Sequence, residues 1–175
     1  SASDMALIQE ALAKTAAITT ISPVDESGRV LRPTGSGSAF FMSFDGTNYM
    51  WTNKHVVGEA TYVRYQMCDD TEFEFQVPQS DFWLEASRDF ASLTLPIRMA
   101  RTPSFKPADM SRLTEGQEIY LIGGPLGFKC SVSKGVLSYN GRHLPKSSLS
   151  STHGDIQTDA ALNPGNSGGV AAVMQ

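Results

Sequence analysis

Apolar positions change their spacing within the first twenty residues of the chain. Met5, Ile8, Ala11, Leu12 and Ala16 recur at helical intervals, which predicts a short amphipathic helix from Asp4 to Ala17 with Ser3 or Asp4 as its cap. Lys14 is the only basic residue on it, too little for a membrane-surface helix, so the helix is expected to pack on the rest of the chain. From Ile18 onward the pattern becomes short strands separated by turns. Thr34 to Ser38 reads as a flexible glycine-rich turn leading into a strand from Ala39 to Met42, and Asp45-Gly46 marks a hairpin into a strand from Asn48 to Thr52. Tyr62 to Met67 and Glu72 to Val77 alternate with period two. In the second of these, Phe73, Phe75 and Val77 share one face, and Glu72, Glu74 and Gln76 share the other, a solvated one.

Phe90 to Ile97 forms a further apolar strand. An irregular stretch with Pro103 and Pro107 comes next, and strands resume at Gln117 to Ile122, Cys130 to Tyr139 and Asp155 to Ala161, with a polar loop from Asn140 to His153. The expected organisation is a single domain over residues 1–175. It comprises an N-terminal helix (1–17), a first half (18–97), a linker (98–112) and a second half (113–175). Many turns and little helical periodicity make this an all-β chain, long enough to bury two small barrel halves.

Composition narrows the partners. A formal charge of −4 with no polybasic run argues against nucleic acid and anionic lipid, and no apolar stretch approaches the ~20 residues that span a bilayer. Ser1 to Thr15 lacks the basic flank and apolar run of a secretory signal, as expected of a processed or excised chain that carries no targeting information. Cys68 and Cys130, the two cysteines, show no metal-ligand spacing. Their setting favours two half-buried free thiols over a single disulfide and leaves the redox compartment open.

The densest chemistry lies near the C-terminus. In Asn163-Pro164-Gly165-Asn166-Ser167-Gly168-Gly169 a serine sits among glycines that let main-chain N–H groups approach a substrate carbonyl. A serine hydroxyl attacks only when a base takes its proton. Of the three histidines, His143 and His153 lie in a polar loop, whereas His55 comes after a strand and precedes Val56-Val57, a rigid setting for a base. The carboxylate that would orient such an imidazole is best supplied by Asp89, at the mouth of an apolar strand, with Asp81 and Asp159 as rivals. The order His, Asp, Ser is that of chymotrypsin-type hydrolases, with base and acid in the first half and nucleophile in the second.

Four blocks extend the case: Gly35-Ser36-Gly37-Ser38-Ala39-Phe40, Thr52-Asn53-Lys54-His55-Val56-Val57, Asp89-Phe90-Ala91-Ser92-Leu93, and Gln157 to Ala161 running into Gly165 to Gly169. Together with Gly124 to Gly127 and Ser131 to Ser138, they make the chain resemble the protease domain of the HtrA/Deg family, from about Ile18 to Gly169. The resemblance implies two antiparallel β-barrels of chymotrypsin type. It implies His55 as general base, Asp89 as its orienting acid and Ser167 as nucleophile, with the backbone N–H groups of Gly165, Asn166 and Ser167 around the oxyanion hole. Leu162 would line the pocket for an apolar P1 side chain. No cofactor or metal is implied. Polypeptide substrates, unfolded proteins among them, are implied, as are a homotrimer built through the N-terminal segment and an extracytoplasmic, periplasmic location.

The family continues past its Gly-Gly with strands that close the second barrel, and then with PDZ domains. A chain ending at Gln175 is therefore expected to carry an incomplete second barrel. Two other readings stay open: an inactive, chaperone-like module that binds unfolded segments on the same fold, and a viral polyprotein-processing peptidase, for which a terminal Gln175 would suit self-cleavage.

Overall fold

The computed structural model of the chain describes residues 2–21, 33–58, 62–76, 82–96, 99–123, 130–142, 155–158 and 169–173. It is an all-β protein with one short N-terminal helix, built on two antiparallel sheets. The first has seven strands: β1 (Thr15–Ile21), β2 (Pro33–Phe44), β3 (Thr47–Thr52), β4 (Tyr62–Met67), β5 (Glu72–Gln76), β6 (Phe82–Leu84) and β7 (Ala91–Thr94), in the order β5-β4-β1-β2-β3-β7-β6. The second is smaller, with β8 (Glu118–Gly123), β9 (Ser131–Arg142), β10 (Asp155–Thr158) and β11 (Val170–Ala172) in the order β10-β9-β8-β11.

Chain length forces the larger sheet to curl. Its two end strands, β5 and β6, are consecutive in sequence, with Gln76 ending one and Phe82 beginning the other. Six residues of chain reach about 20 Å at full extension. Seven strands laid flat would put their outer members about 29 Å apart. The curled inner face buries Ile18, Phe41, Met50, Val63, Tyr65 and Leu93, and Met99 and the Val56-Val57 pair pack into the same core. Alternation accounts for most of this: on β4, Val63 and Tyr65 are buried and Arg64 is exposed.

Helix α1 covers Ala2–Leu12, not Asp4 to Ala17, and Asp4 falls in its first turn rather than serving as a cap. Residues Thr15 to Ala17 belong instead to β1, every residue of which is buried. The alanines carry no strong strand signal, but pairing with both β2 and β4 satisfies their backbone, and tertiary burial overrides local periodicity. The expected turn at Thr34 to Ser38 is also strand, paired with β1 residue by residue from Gly35 on (Ser36 with Thr19, Gly37 with Ile18), with a register shift that skips Thr34. The hairpin at Asp45-Gly46 is present, with φ of 48° and 78°, the positive values that a tight two-residue hairpin turn demands. Phe82–Leu84 is a strand that periodicity does not mark; three residues are too few to show one. Strand β9 extends to Arg142, into the stretch expected to be loop. Val77 and residues 159–161 lie outside the described residues.

The stretch expected to be a linker lies against the first sheet. The N–H of Phe105 donates to the carbonyl of Phe41 and its carbonyl accepts from the N–H of Ser43, while the Asn48 carboxamide donates to the carbonyl of Thr102. Met99 is 2% exposed.

The cysteines are the clearest correction. Cys68 and Cys130 form a disulfide with Cα atoms 5.5 Å apart, not two free thiols. Spacing along the chain could not reveal the pair: Cys68 lies in the turn after β4 and Cys130 just before β9, so they meet only when the two sheets pack.

Candidate active site

Strand register brings together the two residues of the site that the structure describes. Thr52, the last residue of β3, pairs with Ala91, the first of β7. In an antiparallel pair the chain leaving one strand lies beside the chain entering the other. Residues 53–55 therefore face the segment that ends at Asp89. The chain past Thr52 winds into α2 (Lys54–Val57), one turn fastened by burial of Val56 and Val57. Asn53 occupies its N-cap position, but its carboxamide does not cap the turn; it donates instead to the main-chain carbonyl of Asp89 at 2.7 Å. The Lys54 ammonium donates to the carbonyl of Glu85 at 2.8 Å, tying down the other end of the acid's loop. Phe90, next in sequence, anchors the loop among aromatic rings, its centroid 5.7 Å from that of Trp83 and 6.2 Å from that of Trp51.

Nδ1 of His55 stands 2.5 Å from Oδ2 of Asp89, and the main-chain N–H of His55 donates to Oδ1 at 2.9 Å. An ionised carboxylate only accepts, so a proton sits on Nδ1; in the neutral imidazole Nε2 then carries the free lone pair, the tautomer required of a base. Burial alone would raise the pKa of Asp89. Hydrogen bonds from the His55 ring, its main-chain N–H and the N–H of Lys54 together outweigh that and hold the carboxyl below its usual value. The side chains of His55 and Asp89 are 59% and 42% exposed, so the pair lies open at the surface, where another group can reach Nε2.

Ser167, Gly165, Asn166 and Leu162 lie outside the described residues, as do Asp81, Asp159, His143 and His153. Gly169, two residues beyond Ser167 along the chain, leads into β11, whose Val170 pairs with Ile122 of β8. Gly169 and Val170 line a cavity of about 690 Å³ that Phe40 and Met42 of β2 also line, so this segment faces the first sheet. Among the described residues no group of three or more His, Cys, Asp or Glu side chains could hold a metal ion. The clamp by Asn53 escaped sequence reasoning although it lies in the block around His55; its signal is an asparagine at an N-cap position whose acceptor is 36 residues away.

Residues 37–172 match the family described as a trypsin-like peptidase domain. Among curated proteins, the chain is 38% identical over 133 residues to a probable periplasmic serine endoprotease of DegP-like type from Pseudomonas putida, an alignment covering 76% of this chain and 26% of that protein. It is 35% identical over 151 residues to the protein of the same description from Ectopseudomonas mendocina, covering 84% and 29%. The chain thus spans between a quarter and a third of the length of these curated relatives. Among solved structures, it superposes on the HtrA-type protease AlgW with a tripeptide at a TM-score of 0.72 and 28% identity, over 95% of this chain and 49% of that one. Deg5 matches at a TM-score of 0.69 and 25% identity, over 97% and 78%.

Proposed function

The chain belongs to the trypsin-like peptidase domain family, as an HtrA/Deg-like protease domain, and on that premise we propose that it is a serine endopeptidase that cleaves polypeptides through an acyl-enzyme on Ser167. The observation that carries the proposal is the 2.5 Å contact of His55 Nδ1 with Asp89 Oδ2, which leaves Nε2 as a base. In the proposed reaction the Ser167 hydroxyl attacks the scissile carbonyl as its proton passes to Nε2 of His55. Asp89 stabilises the imidazolium, and the N–H groups of Gly165, Asn166 and Ser167 receive the oxyanion. The imidazolium then protonates the leaving amine, and water, deprotonated by the same nitrogen, releases the acyl group. The first half (18–97) thereby supplies base and acid and the second half (113–175) the nucleophile, with Leu162 lining the P1 pocket. Two facts support an extracytoplasmic location: relatives are named periplasmic, and the Cys68–Cys130 disulfide suits an oxidising compartment.

A fluorophosphonate probe tests the mechanism. It is expected to attach covalently to Ser167, and Ser167→Ala is expected to lose the label and to lower peptide turnover by about 10⁴–10⁶-fold with folding intact. A well-folded protein that takes no label would instead point to a binding module on the same fold.

A further inference from the structure

We propose that Thr20, 35 residues before His55 on β1, is a positioning residue that holds the turn bearing the base through one buried hydrogen bond. The inference rests on His55 acting as the base. Helix α2 has four residues, too few to be stable on its own; the N–H of Val56 donates to the carbonyl of Asn53 at one end and that of Gly58 to the carbonyl of Lys54 at the other. The last carbonyls of any helix lack an intrahelical donor. One of these is the carbonyl of Val56, the residue after His55. Val56 is 1% exposed, so water does not supply the donor.

Thr20 supplies it. Its hydroxyl, on a residue that is 0% exposed, lies 2.6 Å from the Val56 carbonyl and 3.3 Å from that of Gly35. A hydroxyl has one proton to give, and the shorter contact takes it. Gly35 completes the junction: a Cβ built there would stand 2.5 Å from the Val56 oxygen and 2.7 Å from Thr20 Oγ1, so β2 can pass beneath α2 only as bare backbone. Without the hydroxyl, the buried Val56 carbonyl beside His55 loses the donor that Thr20 gives it, and the turn relaxes outward toward water. Such a movement carries the His55 ring away from the nucleophile while leaving the surfaces that bind a peptide in place.

Thr20→Val keeps the shape and removes the hydroxyl; Thr20→Ser keeps the hydroxyl and removes a methyl. In purified full-length chain, Thr20→Val is expected to lower kcat and the rate of fluorophosphonate labelling by about 10–100-fold with KM unchanged, as a displacement on the order of 1 Å does. Thr20→Ser is expected to recover the rate to within about 3-fold of the parent. Equal rates in parent and Thr20→Val, or a Ser variant as slow as the Val variant, overturn the proposal; the second result assigns the effect to packing. A parent that takes no label refutes the peptidase mechanism, not the hydrogen bond. The ¹⁵N-edited proton spectrum of histidine-labelled protein decides that case. The His55 Nδ1–H resonance is expected in the parent and in Thr20→Ser and to broaden or vanish in Thr20→Val; a resonance unchanged in Thr20→Val overturns the proposal. If Thr20→Val fails to fold, Thr20→Ala and Thr20→Ser are compared by the same spectrum under the same criteria.

Discussion

Asp89 is gripped at three atoms: Oδ2 by the His55 ring, Oδ1 by the His55 main-chain N–H, and its own carbonyl by Asn53. An asparagine in its place has one acceptor oxygen for two donors. The ring must then give up the Nδ1–H tautomer, and Nε2 ceases to be a base. Asp89→Asn is accordingly expected to lower kcat by about 10⁴-fold, the cost of the wrong tautomer in such triads, measured by peptide hydrolysis at neutral pH. The same carboxyl makes a pH prediction. Its folded pKa is depressed, so its ionisation contributes stability that is fully present above the unfolded value, near 3.9, and is lost as pH falls through the lower folded value. Urea melts of the parent and Asp89→Asn should differ at about pH 6 and converge well below about pH 4. Curves that stay parallel throughout would remove the carboxylate from the account.

Among the elements, β2 has the most demanding geometry, because it crosses under α2 with no room for a side chain at position 35. Gly35→Ala is expected to cost about 1–3 kcal/mol, as overpacked sites do, and to slow acylation, since the displaced atom is the Val56 carbonyl next to His55. Gly46→Ala is the control. It sits at the opposite end of β3 from α2, has open space around it and a φ of 78°, and should lose stability through backbone strain alone, with the labelling rate unchanged. Thermal melts and labelling rates of the two variants check both. Elements with alternating faces, β4 and the Asp45-Gly46 hairpin, are legible from the chain because their signal is local. Strand β1 and the first part of β2 are not, since alanines, threonines and glycines take on strand form there by pairing with each other.

Across the whole molecule, the Cys68–Cys130 bond joins the turn after β4 in one sheet to the start of β9 in the other. Among the described residues no backbone ladder connects the two sheets, so this bond ties the half that carries His55 and Asp89 to the half that carries β11. Closing a loop of 62 residues restrains the unfolded chain by about 4 kcal/mol in the chain-entropy account. Reduction with dithiothreitol, or a Cys68→Ser and Cys130→Ser double variant, should lower Tm by about 10 °C in calorimetry. A Tm that ignores the reductant would leave the bond without a stabilising role.

The chain by itself determined the all-β class and the candidacy of His55 and Asp89, because each is carried by short local blocks, and it determined the chymotrypsin-type order of histidine, aspartate and serine, because order along the chain is written in the sequence. Only the tertiary structure decided that Thr52 pairs with Ala91 and so sets imidazole against carboxylate, that two cysteines 62 residues apart are bonded, and that a threonine on β1 donates to the carbonyl next to His55. The physical reason is common to all three. Periodicity and turn chemistry act between near neighbours, whereas these contacts are worth making only once burial has removed water from partners that lie far apart along the chain.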